Sequence, residues 1–132
     1  MKIVCTYCSG EKRKDGGMLP AVRRYRSERI SGLAQASSQQ GLSFMILSGE
    51  FGLVGPEHPL PWYDHLLQPD EVDTLAGRVA AALRLAGVRE VEFHTAAPEK
   101  VPRIRPYQAV MAAACARADV GLRVVIIEGN PA

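Results

Sequence analysis

The sequence predicts an α/β fold, a three-layer α/β/α sandwich around a four-stranded, mainly parallel sheet. Four strand-like runs alternate with three helix-like runs, which is typical of βαβ units. Two of the runs, residues 42–47 and 122–127, are largely apolar, as strands covered on both faces are. No repeat, low-complexity tract or linker divides the 132 residues. We therefore expect a single domain over residues 1–132.

The predicted strands cover residues 2–7, 42–47, 88–95 and 122–127. Apolar runs of this length favour strands over helices. Right-handed crossovers between parallel strands then give the spatial order 2-1-3-4, as in flavodoxin-like and Rossmann-like sheets. In this order the carboxyl ends of all four strands meet at one edge of the sheet.

The first helix is predicted from its capping residue. Ser27 can accept a hydrogen bond at the helix start, and Gly41 stops a helix that runs to about Gln40. A start near Pro20 is the alternative. The rest of residues 9–26 is expected to form a polar loop.

The second and third helices carry clearer signals. Pro69 suits a first turn, the two acidic residues after it oppose the helix dipole, and Gly87 ends the helix. The third helix follows Pro106. Apolar side chains recur at helical spacing in both, which indicates one buried face on each.

The composition excludes several classes of protein. A hydrophobic content of 47% and a charged content of 23% are typical of a soluble globular protein. No apolar run approaches the ~20 residues that cross a bilayer, and the first run is too short for a signal peptide. We expect a cytoplasmic protein without a membrane partner.

Three cysteines, an odd number, argue against a disulfide scaffold. Cys5 and Cys8 have the C-x-x-C spacing of redox and metal sites. However, Cys5 lies within the first predicted strand, and neither a helix start nor a second ligand pair accompanies it. We therefore interpret Cys5 as a core residue and expect no metal or other cofactor.

Basic residues are concentrated near the N-terminus, where residues 1–40 carry eight Lys/Arg and three Asp/Glu. A surface of this kind can bind the phosphates of a nucleic acid, although an ordinary solvated face explains it equally well. Its members would be Lys12, Arg13, Lys14, Arg23, Arg24, Arg26 and Arg29.

The strongest sign of a site comes directly after the second strand. Glu50 lies between two glycines at the carboxyl end of a buried strand, where α/β proteins bind ligands. Glu50 could be a general base or nucleophile, with Asp64 as the second carboxylate of glycosidic-bond chemistry. The alternative is that Glu50 is solvated and Asp64 caps a turn. The neighbouring ligand-binding candidates are Ser48, Gly49 and Gly52.

Three other segments could contribute to the same site. The loop at residues 8–12 has small residues and a lysine, which suit an anion. The start of the first helix also favours an anion, and an aromatic ring in the proline-rich segment could stack on a base. An ordinary polar turn and surface packing are the alternatives. These candidates are Cys8, Ser9, Lys12, Tyr25, Ser27, Tyr63 and, at a strand end, His94.

Four short motifs follow one another within residues 3–67. They are Cys-Ser-x-x-Lys at 8–12, Tyr-x-Ser at 25–27, Leu-Ser-x-x-x-Gly-Leu at 47–53, and Pro56 followed by Tyr63-Asp64. In this order they resemble a family of small bacterial and phage domains. More distantly, they are similar to a domain of archaeosine synthase, an archaeal enzyme that modifies tRNA. The resemblance implies a nucleotide or nucleic-acid context.

We therefore expect an enzyme that acts on a nucleobase, nucleoside or nucleotide, free or within RNA, at the carboxyl edge of the sheet. A transferase or a glycosidic-bond enzyme would fit. The alternative is a non-catalytic nucleic-acid-binding module that uses the basic N-terminal residues. A third possibility is a partner domain, in which the edge strand ending at residues 128–132 pairs in a homodimer.

Overall fold

In the computed structural model, which describes residues 1–127, short strands and helices alternate from the first residues onward. The strands are β1 (Lys2–Tyr7), β2 (Leu19–Pro20), β3 (Ser43–Ser48), β4 (Gly52–Val54), β5 (Pro59–Leu60), β6 (Glu90–Thr95) and β7 (Gly121–Ile126). The helices are α1 (Ala21–Arg24), α2 (Glu28–Gln39), α3 (Val72–Leu85) and α4 (Arg105–Ala118). Single 3-10 turns, Pro69–Glu71 and Pro102–Ile104, lead into α3 and α4.

The central sheet has five strands in the order β4-β3-β1-β6-β7. Strands β3, β1, β6 and β7 are parallel and keep the relative order predicted for the four strands. The predicted strand number was wrong, because β4 pairs antiparallel with β3 at the sheet edge. Gly52 has a φ of +76°, which lets the chain reverse within a tight turn. A three-residue strand directly after such a turn has too short a pattern to be recognised in the sequence.

The helices bury apolar faces against this sheet. Helix α2 packs on β1 and β3, while α3 and α4 pack on each other, and α4 also contacts β6 and β7. The stripe predicted on α3 comprised Val72, Leu75, Ala76, Val79, Leu83 and Ala86. The structure buries Leu75, Ala76, Val79 and Leu83, together with Ala80, whereas Val72 is only partly buried and Ala86 is exposed. Within the described residues, no helix is long and apolar enough to span a membrane.

Strands β6 and β7 carry a polar network on the sheet. Glu92 forms salt bridges with Lys2 at 3.2 Å, with Arg123 at 3.8 Å, and with His94 at 2.8 Å. His94 Nε2 is thus hydrogen-bonded to Glu92, two residues earlier on the same strand.

The predicted homodimer segment at residues 128–132 lies outside the described residues.

The expected polar loop at residues 9–26 is organised around a fully buried arginine. Arg24 in α1 has no exposed surface, and its guanidinium donates to four backbone carbonyls. These are Arg13 O at 2.6 Å, Gly17 O at 2.8 Å, Asp15 O at 3.1 Å and Leu60 O at 3.2 Å. Arg24 therefore ties the 13–17 loop to the segment around β5, and it is unavailable to a nucleic-acid phosphate.

Replacing Arg24 by Met should lower the free energy of unfolding by about 3 kcal/mol, because the four carbonyls lose their donor. Urea denaturation measures this loss. The control is Arg23→Met, which changes an exposed arginine on the same helix and should stay within about 0.5 kcal/mol of wild type. Equal effects of the two substitutions would contradict the organising role of Arg24.

Candidate functional site

A cleft lies at the carboxyl end of β1, between the loop that follows this strand and the start of α4. Strand order reverses here, because the chain leaves β1 toward β3 on one side and later enters β6 on the other. Such switch points are the usual ligand sites of open α/β sheets. The cleft encloses about 210 Å³. Its lining residues are Tyr7, Cys8, Ser9, Gly10, Glu11, Lys12, Arg29, Asp64, His65, Leu66, Arg103, Ile104 and Tyr107.

Arg29 fixes the back of the cleft. Ser27 caps α2 by accepting a hydrogen bond from Ile30 N at 3.2 Å, as predicted, and this sets the helix start. Arg29 then donates to Thr6 Oγ1 at 2.6 Å, to Tyr7 O at 2.7 Å and to Cys8 O at 3.3 Å. Burial of the guanidinium lowers the Arg29 pKa. Electrostatic interactions with Tyr7 and Cys8 are smaller and act in the opposite direction. The sequence placed Arg29 in a surface cluster, whereas the structure buries it.

Arg29 also contacts the ring of Tyr7. Its guanidinium carbon lies 3.7 Å from the ring centroid, which is a close cation–π contact. The nearby positive charge of Arg103 adds to the lowering of the Arg29 pKa. Two guanidinium groups therefore face the same cleft.

Cys8 and Ser9 form the floor of the cleft where β1 ends. Cys8 Sγ lies 3.6 Å from the Tyr107 hydroxyl, which in turn accepts a hydrogen bond from Leu67 N at 3.1 Å. Ser9 Oγ accepts from Glu11 N at 3.1 Å and donates to Glu11 O at 3.0 Å. This compact turn brings the following residue, Lys12, back to the cleft.

Lys12 lies over two aromatic rings. Its ammonium nitrogen is 4.5 Å from the ring centroid of Tyr63 and 6.0 Å from that of Tyr25. Burial lowers the Lys12 pKa, and electrostatic interactions with Cys8 and Asp64 oppose this effect. Lys12 is thus a partly buried cation held in a defined position at the cleft.

A chain of hydroxyl groups lies beside Lys12. The Tyr25 and Tyr63 hydroxyls are 2.5 Å apart, and Tyr63 OH is 2.9 Å from Ser48 Oγ. Burial raises the pKa of both tyrosines, which keeps them protonated. The structure therefore brings together three separate sequence motifs, those that contain Tyr25, Ser48 and Tyr63.

The two predicted carboxylates have different surroundings. Asp64 lines the cleft. Glu50 pairs instead with His65 Nδ1, and His65 Nε2 bonds to Glu71 at 2.8 Å. Among the described residues, the cleft lining includes His65 but not Glu50. Glu50 therefore contacts the site through His65, a residue that the sequence did not single out because it has no ligand spacing.

Gly49 is required by close packing. A Cβ at this position would lie 3.1 Å from the Tyr107 hydroxyl and 3.3 Å from both His65 O and Leu67 Cβ. The turn after β3 therefore packs directly against Tyr107 and against residues 65–67, which lie beside the cleft. The predicted candidates Gly49 and Gly52 shape this turn.

Arg103 and Tyr107 were missed in the sequence. They follow β6, the strand that adjoins β1 across the switch point. The switch-point rule could have found them, since it also directs attention to the loop after the third predicted strand. Their own sequence, a basic and proline-rich stretch, has no recognisable motif.

Comparison with known proteins gives no match: no protein-family model, curated protein or solved structure matches the chain. The resemblance to small bacterial and phage domains and to archaeosine synthase therefore stays a prediction.

Replacing Gly49 by Ala should destabilise the protein by about 1–3 kcal/mol, because the added methyl group overpacks the contact with Tyr107. Gly32→Ala is the matched control. Gly32 is exposed in α2, has no atom within 4 Å of the added Cβ, and should gain about 0.5–1 kcal/mol in a helix. Denaturant unfolding measures both, and a neutral Gly49 variant would refute the close contact.

The pairing of His65 predicts a pH dependence. Its pKa lies above the ordinary 6.5, chiefly because Glu71 and Glu50 accept its hydrogen bonds, while His65 lowers the Glu71 pKa below 4.5. The stabilisation from the pairing of His65 with its two carboxylates is complete between pH 4.5 and pH 6.5, the ordinary pKa values of Glu71 and His65. It fades as the pH rises through the raised pKa of His65, and also as the pH falls through the lowered pKa of Glu71.

Comparing the unfolding free energy of wild type and His65→Gln across pH measures this effect. The advantage of wild type should be largest near pH 6 and should shrink by pH 9. His58→Gln, a substitution of an exposed histidine, serves as the control and should show no such profile. An advantage of wild type that grows from pH 6 to pH 9 would contradict the raised pKa of His65.

Proposed function

We propose that the protein is a three-layer α/β/α enzyme that acts on a nucleobase, nucleoside or nucleotide, whose anionic group binds in the switch-point cleft. One observation carries the proposal: Lys12, Arg29 and Arg103 converge on one cleft. The lining also holds the carboxylates of Glu11 and Asp64, so cations and anions share the cleft. A phosphate bound there would accept charge-assisted hydrogen bonds from Lys12 and Arg103.

The size of the cleft limits what it holds. Its volume of about 210 Å³ is below the ~300 Å³ at which drug-sized ligand pockets begin. The cleft can therefore enclose a phosphate with an attached sugar, but not a whole nucleotide. The remainder of a nucleotide would extend beyond it.

Asp64 supplies the best-placed carboxylate for chemistry. It lines the cleft and interacts with the charge of Lys12. We assign Asp64 as the general base, or as the carboxylate that stabilises the glycosidic carbon. His65 has carboxylates on both ring nitrogens, so it orients the segment rather than transferring a proton. Glu50, its partner, is then a positioning residue.

The nucleic-acid-binding alternative is weakened by the burial of two of its seven basic residues. Arg24 is fully buried, and Arg29 is only 9% exposed. Arg13 is paired with Asp15 at 2.9 Å. The basic residues left on this surface, Arg13, Lys14, Arg23 and Arg26, line an open depression of about 480 Å³ together with Asp15 and Tyr25.

Isothermal titration with the four common nucleoside 5′-monophosphates tests the proposal. Lys12→Met should weaken binding roughly 10- to 100-fold, because a charge-assisted hydrogen bond is worth about 1.5–3 kcal/mol. Lys14→Met is the matched control, since Lys14 is an exposed lysine outside the cleft lining, and it should leave the Kd unchanged.

Two outcomes would overturn the proposal. If the wild-type protein binds none of the four monophosphates, the proposal of a nucleotide ligand is wrong. Equal losses in the Lys12 and Lys14 variants, each with a steep salt dependence, would favour the basic surface and a nucleic acid instead.

A further inference from the structure

A second concavity continues from the cleft along the outside of α4. It shares Leu66 and Arg103 with the cleft lining, so the two spaces are adjacent across these side chains. The groove has a volume of about 490 Å³ and is lined mainly by apolar groups. Leu66 is 49% exposed at the junction.

Three prolines make the groove rigid. Pro69 opens the 3-10 turn before α3, Pro102 opens the one before α4, and Pro106 lies in the first turn of α4. Each proline fixes its own φ, so the walls lose little conformational entropy when a ligand binds. A preformed apolar groove of this kind suits a flat, rigid group.

The polar groups of the groove limit its ligand further. Gln68 is already used, since its side-chain amide donates to Leu66 O at 3.0 Å and its side chain accepts from the Glu71 backbone in a capping box. Arg103 and Arg105 remain as the charged side chains of the lining. A guanidinium stacks well on a planar π system.

We propose that this groove binds the base of a nucleoside monophosphate whose phosphate and sugar occupy the adjoining cleft. The inference rests on the proposed function and assigns the part of the nucleotide for which the cleft is too small. Arg103, at the junction, contacts the sugar-phosphate on one side and stacks on the base on the other. The prolines and Leu66 cover the remaining base surface.

Isothermal titration with ribose 5-phosphate and the four nucleoside 5′-monophosphates tests this assignment. The tightest monophosphate should bind wild type at least 10-fold more tightly than ribose 5-phosphate. Ala109→Trp fills the groove from an exposed position of α4, and it should abolish that difference while leaving ribose 5-phosphate binding unchanged. Ala116→Trp, two turns along the same helix and also exposed, is the control and should preserve the difference.

The outcomes separate this inference from the proposed function. Equal affinity of wild type for ribose 5-phosphate and the monophosphates would overturn the base subsite but would not affect the proposed sugar-phosphate site in the cleft. A preference that survives Ala109→Trp would place the base elsewhere and also overturn it. If octyl phosphate binds more tightly than every monophosphate and loses this advantage in Ala109→Trp, the groove takes an aliphatic chain instead. If no sugar phosphate binds, both proposals are wrong.

Discussion

The guanidinium of Arg29 closes the end of strand β1, where it bonds the carbonyls of Tyr7 and Cys8 and the Thr6 hydroxyl. A parallel strand that ends beside a cleft leaves its last carbonyls without a neighbouring strand, and burial without a donor would cost several kcal/mol. Arg29 removes that cost and brings a positive charge with it. The base of the cleft is therefore both hydrogen-bonded and cationic.

Arg24 supplies hydrogen-bond donors to backbone carbonyls in the same way, but outside the central sheet. Three of its four carbonyl partners, those of Arg13, Asp15 and Gly17, lie in an irregular loop, and the fourth, that of Leu60, lies in the two-residue strand β5. The two arginines come from consecutive helices, α1 and α2. Arg24 holds a segment that the sequence predicts as loop, whereas Arg29 holds the end of β1. The basic N-terminal region is thus partly structural, which the net charge of the segment does not reveal.

Most of the parallel sheet could be predicted from the sequence because its strands and helices carry local signals, such as the apolar run 42–47 and the Ser27 cap. Strand β4 could not, because a three-residue strand carries too short a pattern. The burial of Arg24 could not either, because it depends on contacts with residues as distant in the sequence as Leu60. The candidate site likewise combines residues that have local sequence signals with contacts that have none. A strand-end motif indicated Cys8 and Lys12, and the proline-rich segment indicated Asp64, but the pairing of Glu50 with His65 and the approach of Tyr107 arise only when the chain is folded.

The hydroxyl chain beside Lys12 has a direction. Ser48 Oγ accepts hydrogen bonds from both Glu50 N and Phe51 N, which fills its two lone pairs. Ser48 must then donate to Tyr63, and Tyr63 must donate to Tyr25. The backbone of the turn after β3 therefore sets the orientation of two tyrosine dipoles under the Lys12 ammonium group. A change in this turn that withdrew the two N–H donors would free Ser48 Oγ to accept from Tyr63, and both hydroxyl dipoles would then be able to reverse.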